Sequence, residues 1–213
     1  MHFHFPGVKQ GPATVTLANG HCVKFTYADD ILDGPAEYVC QGGLIREKWR
    51  YVAGVKSGAS TEWNDKGDEE NRVYVAGVLE GPATLKGAEG DTLEFTYKNG
   101  KRSGAATYRW PDGSVEMTLY DENGVENGPC KLIWANGARR EGEKVDGKWD
   151  GEVFYTYAEG PRKGKKDLEE WRAGELISSE KYRGKGEEWE VENWEDLKDM
   201  EEATKNNAPC RRI

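Results

Sequence analysis

Glycine recurs along this chain every 23 to 24 residues, at Gly11, Gly34, Gly58, Gly81, Gly104, Gly128 and Gly151. A second glycine follows nine positions later, at Gly20, Gly67, Gly90, Gly113, Gly137 and Gly160, with the Gly42-Gly43 pair near that place in the second copy. An aromatic residue then precedes a third glycine, as in Tyr51 and Gly54, Tyr74 and Gly77, Tyr97 and Gly100, and Tyr120 and Gly124. Self-similarity at such a period marks one supersecondary unit stacked on copies of itself, because a unit this small cannot bury its apolar side alone. Arrays of this kind grow by units rather than around one core, and they present extended surfaces to partners more often than they build catalytic centres.

Between the glycines, apolar residues fall two apart. The first copy has Ala13, Val15 and Leu17, then Val23, Phe25 and Tyr27; the fourth has Ala83 and Leu85, then Leu93, Phe95 and Tyr97. That period belongs to half-buried strands. Asn19-Gly20, Asn99-Gly100, Asp112-Gly113, Asn123-Gly124, Asn136-Gly137 and Asp146-Gly147 are hairpin turns, since these dipeptides accept positive φ at low steric cost. The expected fold is therefore all-β, an elongated single-layer antiparallel sheet of about seven stacked β-hairpin repeats. Alternation places Ala106, Tyr108 and Trp110 on one face, continued by Cys130, Leu132 and Trp134 and by Val153, Tyr155 and Tyr157. The other face, with Thr107, Arg109 and Lys131, reads as largely solvated, and Ile133 and Trp63 break the alternation.

Hydrophobic residues make up only 36% of the 213 and charged residues 32%, which is little for a globular core. The 8 Trp and 10 Tyr compensate with large apolar area per residue, enough for a sheet that buries one side. A formal net charge of −9 gives no electrostatic support to nucleic-acid binding or to an anionic membrane, and the basic clusters Arg139-Arg140 and Arg162 to Lys166 read as solvated. Cys22, Cys40, Cys130 and Cys210 fall at different places in the repeat, without zinc or redox spacing, so free thiols in the cytoplasm or another reducing compartment are expected. The opening residues have no secretory signal pattern, and no run is long enough for a membrane span.

Catalytic chemistry finds few residues to stand on. His2 and His4 are only two potential ligands, His21 sits in a hairpin turn, and no Ser or Cys has a nucleophile signature with histidine. Gly184-Lys185-Gly186 lacks the spacing of a phosphate loop. We expect no catalytic residue, no metal and no cofactor.

The string Tyr97-Lys-Asn-Gly100-Lys-Arg-Ser-Gly104-Ala-Ala106, followed by Pro111-Asp112-Gly113, resembles the MORN repeat (membrane occupation and recognition nexus). The resemblance runs over about residues 4 to 177, starting with a half-copy at His4-Phe5-Pro6-Gly7. It departs from the usual pattern four residues before the aromatic, where Leu93 or Glu116 stands in place of the leading tyrosine. This looser form is also similar to the repeats of YwqK-type bacterial antitoxins and of the N-terminal region of a SET-domain lysine methyltransferase, of which no SET sequence follows here. The resemblance implies a curled single-layer sheet of stacked hairpins that serves as a docking or scaffolding surface.

The copies are unequal. The third is polar around Asn64-Asp65-Lys66 and Asp68-Glu69-Glu70, the sixth has Lys144 where tyrosine is expected, and the seventh carries extra residues over Pro161 to Asp167. Residues 1–177 read as the array and residues 178–213 as a last strand plus an acidic amphipathic helical tail, in which Trp194, Leu197 and Met200 share a helical face and Trp189 and Val191 extend the contact. Two readings stay open for that tail, a cap folded on its own sheet or a helix offered to another protein.

Rings on a single-layer sheet suit protein anchoring. The candidates are Tyr38, Tyr97, Tyr108, Trp110, Trp134 and Tyr155 on the sheet, with Trp189, Trp194 and Leu197 in the tail. The same rings could stack as the array's own core, and a subset could do both. The expected function is a non-catalytic scaffold or accessory subunit that binds protein partners in a multi-subunit assembly. The alternatives are an antitoxin neutralising a basic nuclease and a phosphoinositide membrane tether, which the net charge disfavours.

Overall fold

A computed structural model describes residues 7–182. The tail residues Trp189, Trp194 and Leu197 lie outside the described residues, and so does the helix expected there. The described residues are all-β, with 18 strands in one open antiparallel sheet. Among the described residues the only helical element is the 3₁₀ turn Gly160–Arg162, and no helix is long and apolar enough to cross a membrane.

The strands run β1 Gly11–Thr16, β2 Cys22–Ala28, β3 Ile31–Leu32, β4 Gly34–Val39, β5 Ile45–Val52, β6 Val55–Lys56, β7 Gly58–Trp63, β8 Glu69–Val75, β9 Val78–Leu79 and β10 Gly81–Lys86. They continue with β11 Thr92–Lys98, β12 Lys101–Arg109, β13 Val115–Tyr120, β14 Gly128–Ile133, β15 Arg139–Val145, β16 Lys148–Thr156, β17 Lys166–Arg172 and β18 Glu175–Lys181. They form two compact units, residues 7–92 with 97–100, and residues 93–96 with 101–182.

In both units the period of the glycines has a cross-strand meaning. Gly11 stands opposite Tyr27, Gly34 opposite Tyr51 and Gly58 opposite Tyr74. In the second unit Gly104 faces Tyr120, Gly128 faces Lys144 and Gly151 faces Trp171. Each of these glycines has positive φ, for example 114° at Gly34 and 103° at Gly128, a conformation that L side chains rarely take. A Cβ built at Gly11, Gly58 or Gly151 would meet nothing within 4 Å, so the demand for glycine there is conformational rather than steric. We call the face carrying these pairs the front face of each unit.

Polar residues just before the repeat glycines tie one copy to the next. Asp33 Oδ2 accepts from the Ala53 backbone N–H, Glu80 Oε2 from Asn99, Asn127 Oδ1 from Asp146 and Asp150 Oδ2 from Ala173. Beside them run backbone bonds, from Gly54 N–H to Leu32 O, Gly77 to Lys56, Gly147 to Glu126 and Gly174 to Trp149. Turn amides that would otherwise lack partners are satisfied by the neighbouring copy, so register is transmitted along the stack.

The two faces do not divide as expected. The back face of the second unit is not simply solvated: Val115 pairs with Ile133 and Phe154 with Leu168, while Leu119 and Thr156 are buried. Cross-strand apolar neighbours shield one another there even on a single layer. The front face is not simply aromatic. Its floor is small, with Ala106, Thr118, Cys130 and Val153 all buried, and charged side chains stand among its rings. Cys22, Cys40 and Cys130 are free thiols. Burial pushes the Cys130 thiol up to about 12, with Glu116 adding to the shift, so it stays protonated and inert.

Candidate protein-binding face

On the front face of the second unit, two rows of side chains lie beside the floor. Nearest the Asp112-Gly113 and Asn136-Gly137 turns come Trp110, Ser114, Trp134, Ala138 and Tyr157; next come Tyr108, Glu116, Leu132, Arg140, Tyr155 and Asp167. Strands β12, β14 and β16 deliver the rings because their alternation keeps every second residue on one side. Tyr108 and Trp110 have ring centroids 4.3 Å apart, Trp134 and Tyr155 5.5 Å, and Tyr155 and Tyr157 4.8 Å. All five rings are half-buried.

Arg140 organises the second of these clusters. Its guanidinium lies 4.7 Å from the centroid of Trp171, 5.4 Å from Trp134 and 5.9 Å from Tyr155. Its Nε donates to Glu169 Oε2 at 2.9 Å, and Trp171 Nε1 donates to the same oxygen at 2.9 Å. A delocalised cation stacks on ring faces while its fork engages a carboxylate, which holds several rings in one arrangement.

At the edge of the row the extra residues of the seventh copy form a strap. Arg162 reaches Asp167 and Tyr157, and the Tyr157 hydroxyl donates to Asp167 Oδ2 at 2.7 Å. The hydrogen bond from Arg162 holds the Asp167 carboxyl below the usual carboxylate range, against the opposing effect of burial. The basic cluster that reads as solvated in the sequence thus has one member, Arg162, engaged on the front face.

Lys144 fills the place of the absent tyrosine. Its Nζ donates to Glu116 Oε1 at 2.6 Å and to Glu126 Oε2 at 2.8 Å, and its side chain is only 9% exposed. Burial alone would lower its pKa; the hydrogen bonds to the two glutamates and the charge of Glu116 outweigh it and raise the pKa well above the ordinary lysine value. An ion triad therefore replaces the ring that other copies place opposite their glycine.

Tyr108, Trp110, Trp134 and Tyr155 are thus brought onto one face of one unit. Tyr38 and Tyr97 belong to the other unit and are engaged there: the Tyr38 hydroxyl meets His21 Nδ1, and the Tyr97 hydroxyl donates to Glu70 Oε1 at 2.7 Å. Glu70 joins a charge ladder in which Arg72 contacts Glu47, Glu62 and Glu70, and Lys56 contacts Glu47 at 2.7 Å. This ladder is the polarity of the third copy, carried onto the front face by Arg72, Glu70 and Glu62. Trp63 breaks the alternation because it lies on the back face, where with Leu44, Arg46, Lys48 and Lys66 it lines an open cavity of about 570 Å³. Sequence reasoning read Arg139-Arg140 as solvated and passed over Glu169 and Trp171; the structure instead holds Arg140 against both, and counting by twos from Tyr155 and Val153 across the strand pairing reaches all three.

The MORN repeat family model matches residues 96–115 and 122–139, where the Tyr97 to Gly113 string lies. No curated protein sequence matches. Among solved structures, the chain is similar to the SAS-4 (dCPAP) TCP domain of Drosophila melanogaster, solved in complex with a proline-rich motif of Ana2 (dSTIL), at 14% identity and a TM-score of 0.35 over 74% of this chain and 88% of that one. It is also similar to the G-box domain of the microcephaly protein CPAP, at 12% identity and a TM-score of 0.31 over 82% of this chain and 100% of that one. Neither likeness is close enough to transfer a site.

Proposed function

We propose that this MORN-repeat chain is a non-catalytic protein-binding module, an accessory subunit of a larger assembly, that takes its partner on the front face of residues 101–182. One observation carries the reading: Tyr108, Trp110, Trp134 and Tyr155 share a face, in tilted ring-to-ring contact pairwise, while remaining half-buried rather than enclosed. Preset rings lose little conformational entropy on binding, and aromatic residues dominate the energetic centres of protein interfaces. The charges among them are paired within the chain, so the face offers shape and ring area rather than a net field.

The test is affinity purification from the native source with mass spectrometry, comparing the natural chain with Trp110→Ala and Trp134→Ala. Each variant is first checked for unchanged circular dichroism and cooperative melting. The expected result is a multi-protein assembly retained by the natural chain and lost by both variants. Folded variants that keep every partner exclude this face. Recovery of a single basic nuclease, inhibited on binding, would replace the scaffold reading with that of an antitoxin.

A further inference from the structure

The cavity of about 570 Å³ on the back face of the first unit opens between the turn before β5 and the turn after β7. Leu44 and Trp63 give it apolar walls, and Arg46, Lys48, Lys66 and Asp65 give it its charges. Three cations against one carboxylate is a local reversal in a chain whose formal net charge is −9. Acids just beyond the lining are committed elsewhere. Glu37, opposite Lys48, pairs with Lys24 at 2.8 Å, Asp68 accepts from Ala88 and Asn64, and Glu69 accepts from Trp63 and Asn71.

Two departures from the repeat build this place. Across β4 and β5, Tyr38 stands opposite Glu47 and Val39 opposite Ile45, which leaves Arg46 as the extra residue of a bulge. A bulge re-aims the side chain it carries. Here the Arg46 guanidinium reaches the Asn64 carbonyl and the Asp65 carboxylate of the facing turn. The second departure is Trp63, five residues after its repeat glycine, where the other six copies have no ring. Its Nε1 donates to Glu69 Oε2 at 3.1 Å, which fixes the ring, and Lys48 Nζ lies 5.8 Å from the ring centroid. The turn is fixed as well, because Asn64 Oδ1 accepts from the backbone N–H of Lys66 at 2.9 Å and of Asp68 at 3.1 Å. Arg46 is matched by Asp65, whereas Lys48 and Lys66 are exposed and form no salt bridge among the described residues.

We propose that this cavity binds an acidic segment of a partner protein, in which one aromatic side chain packs on Trp63 and Leu44 while the carboxylates flanking it meet Lys48 and Lys66. Charge complementarity selects the class of partner: two unmatched cations border a ring that is already held in place. A ring and turn set before binding lose little conformational entropy, and opposite charges steer the encounter. The site uses none of the rings of residues 101–182 and stands without them.

Fluorescence anisotropy of the full chain with a fluorescein-labelled peptide, Glu-Asp-Glu-Phe-Glu-Asp, tests this at about 50 mM and about 200 mM salt. The peptide should bind, several-fold more weakly at the higher salt. Lys48→Glu combined with Lys66→Glu should weaken it about tenfold or more, and so should alanine in place of the peptide's phenylalanine. Lys163→Glu combined with Lys165→Glu makes the same change in net charge on exposed residues of the other unit, and it should leave binding unchanged, as should Trp110→Ala. A peptide that does not bind overturns the proposal. Equal losses from the two lysine pairs overturn it too, since net charge alone then accounts for binding. An alanine peptide that binds as tightly removes Trp63 from the site and the proposal with it. Phosphatidylserine vesicles that sediment the natural chain but not the Lys48 and Lys66 variant, with no peptide bound, assign the cavity to an anionic membrane instead.

Discussion

Gly128 and Lys144 face each other across strands β14 and β15, at the place where Gly104 meets Tyr120 and Gly58 meets Tyr74. The place opposite the positive-φ glycine is taken in one copy by an aliphatic cation and elsewhere by a ring. What the repeat keeps is therefore the positive-φ glycine itself, and the residue opposite it is free to vary with the neighbours available. At Lys144 the neighbours are Glu116 and Glu126, which a ring could not neutralise.

Removing that cation should be costly. Lys144→Met leaves two glutamates sharing a shielded site, and we expect a loss of about 3 kcal/mol in urea denaturation. Lys144→Tyr, which restores the ring of the other copies and keeps a donor, should cost about half as much. Glu116→Gln added to K144M should recover part of the loss. Equal costs for K144M and K144Y would show that the site needs charge and not cover.

Two glycines separate steric from conformational demand. A Cβ at Gly142 would lie 2.7 Å from Val153 Cγ2 and 3.1 Å from the Glu152 carbonyl, on the tightly packed floor of the front face. Gly142→Ala should therefore destabilise by about 1–3 kcal/mol through overpacking. At Gly128 the nearest atom is Leu119 Cδ1 at 3.9 Å, but φ is 103°, so Gly128→Ala should cost about 1–2 kcal/mol through strain alone. Val153→Ala opens a cavity at a fully buried site, so it should lower the melting temperature of G128A as much as that of the natural chain but lower that of G142A less, because there it also relieves the contact with Val153 Cγ2.

These contrasts also mark what was legible in the sequence. The Asn-Gly and Asp-Gly turns fixed the hairpins, because their chemistry is local. The glycine–aromatic pairing was not legible, since its partners lie a whole hairpin apart and meet only once register is known. A bulge between Tyr38 and Val39 lengthens the second copy, and the Arg162 strap lengthens the seventh. Alternation put Tyr108, Trp110, Trp134 and Tyr155 on one face, where the strand register has them. It could not show that Arg140, on the neighbouring strand, shares that face, nor that Val115, Ile133, Phe154 and Leu168 shield one another on the other side.

Acid should loosen the strap first at Asp167. Its folded pKa is depressed, chiefly by the hydrogen bond from Arg162, so its stabilisation is present above the ordinary carboxylate pKa and is lost as pH falls through the lower folded value. Asp68 and Asp121 are depressed as well, by backbone N–H donors from Ala88 and Val125. The melting temperature should hold between pH 6 and pH 7 and fall below about pH 4. Asp167→Asn should melt about 2–4 °C lower near pH 7, and the gap should close as pH drops below about 3. A gap that is constant with pH would mean that the carboxylate charge contributes nothing.

Arg140 links stability to the proposed binding face, and its substitutions should separate the two. Arg140→Ala removes the cation stacked between Trp134 and Trp171 and takes from Glu169 its charged partner, a loss of about 2–4 kcal/mol. Arg140→Lys keeps the charge near Glu169 but cannot stack on two rings while donating through a planar fork, so it should cost only about 1 kcal/mol. If Arg140 sets the tilt of Trp134 against Tyr155, R140K should weaken partner retention about tenfold while the melting curve moves little. Tryptophan fluorescence gives a reading independent of any partner, because freeing Trp134 and Trp171 from a fixed cation alters their emission. Retention that falls only as far as R140K unfolds the protein would reduce Arg140 to a structural brace and leave the rings to act without it.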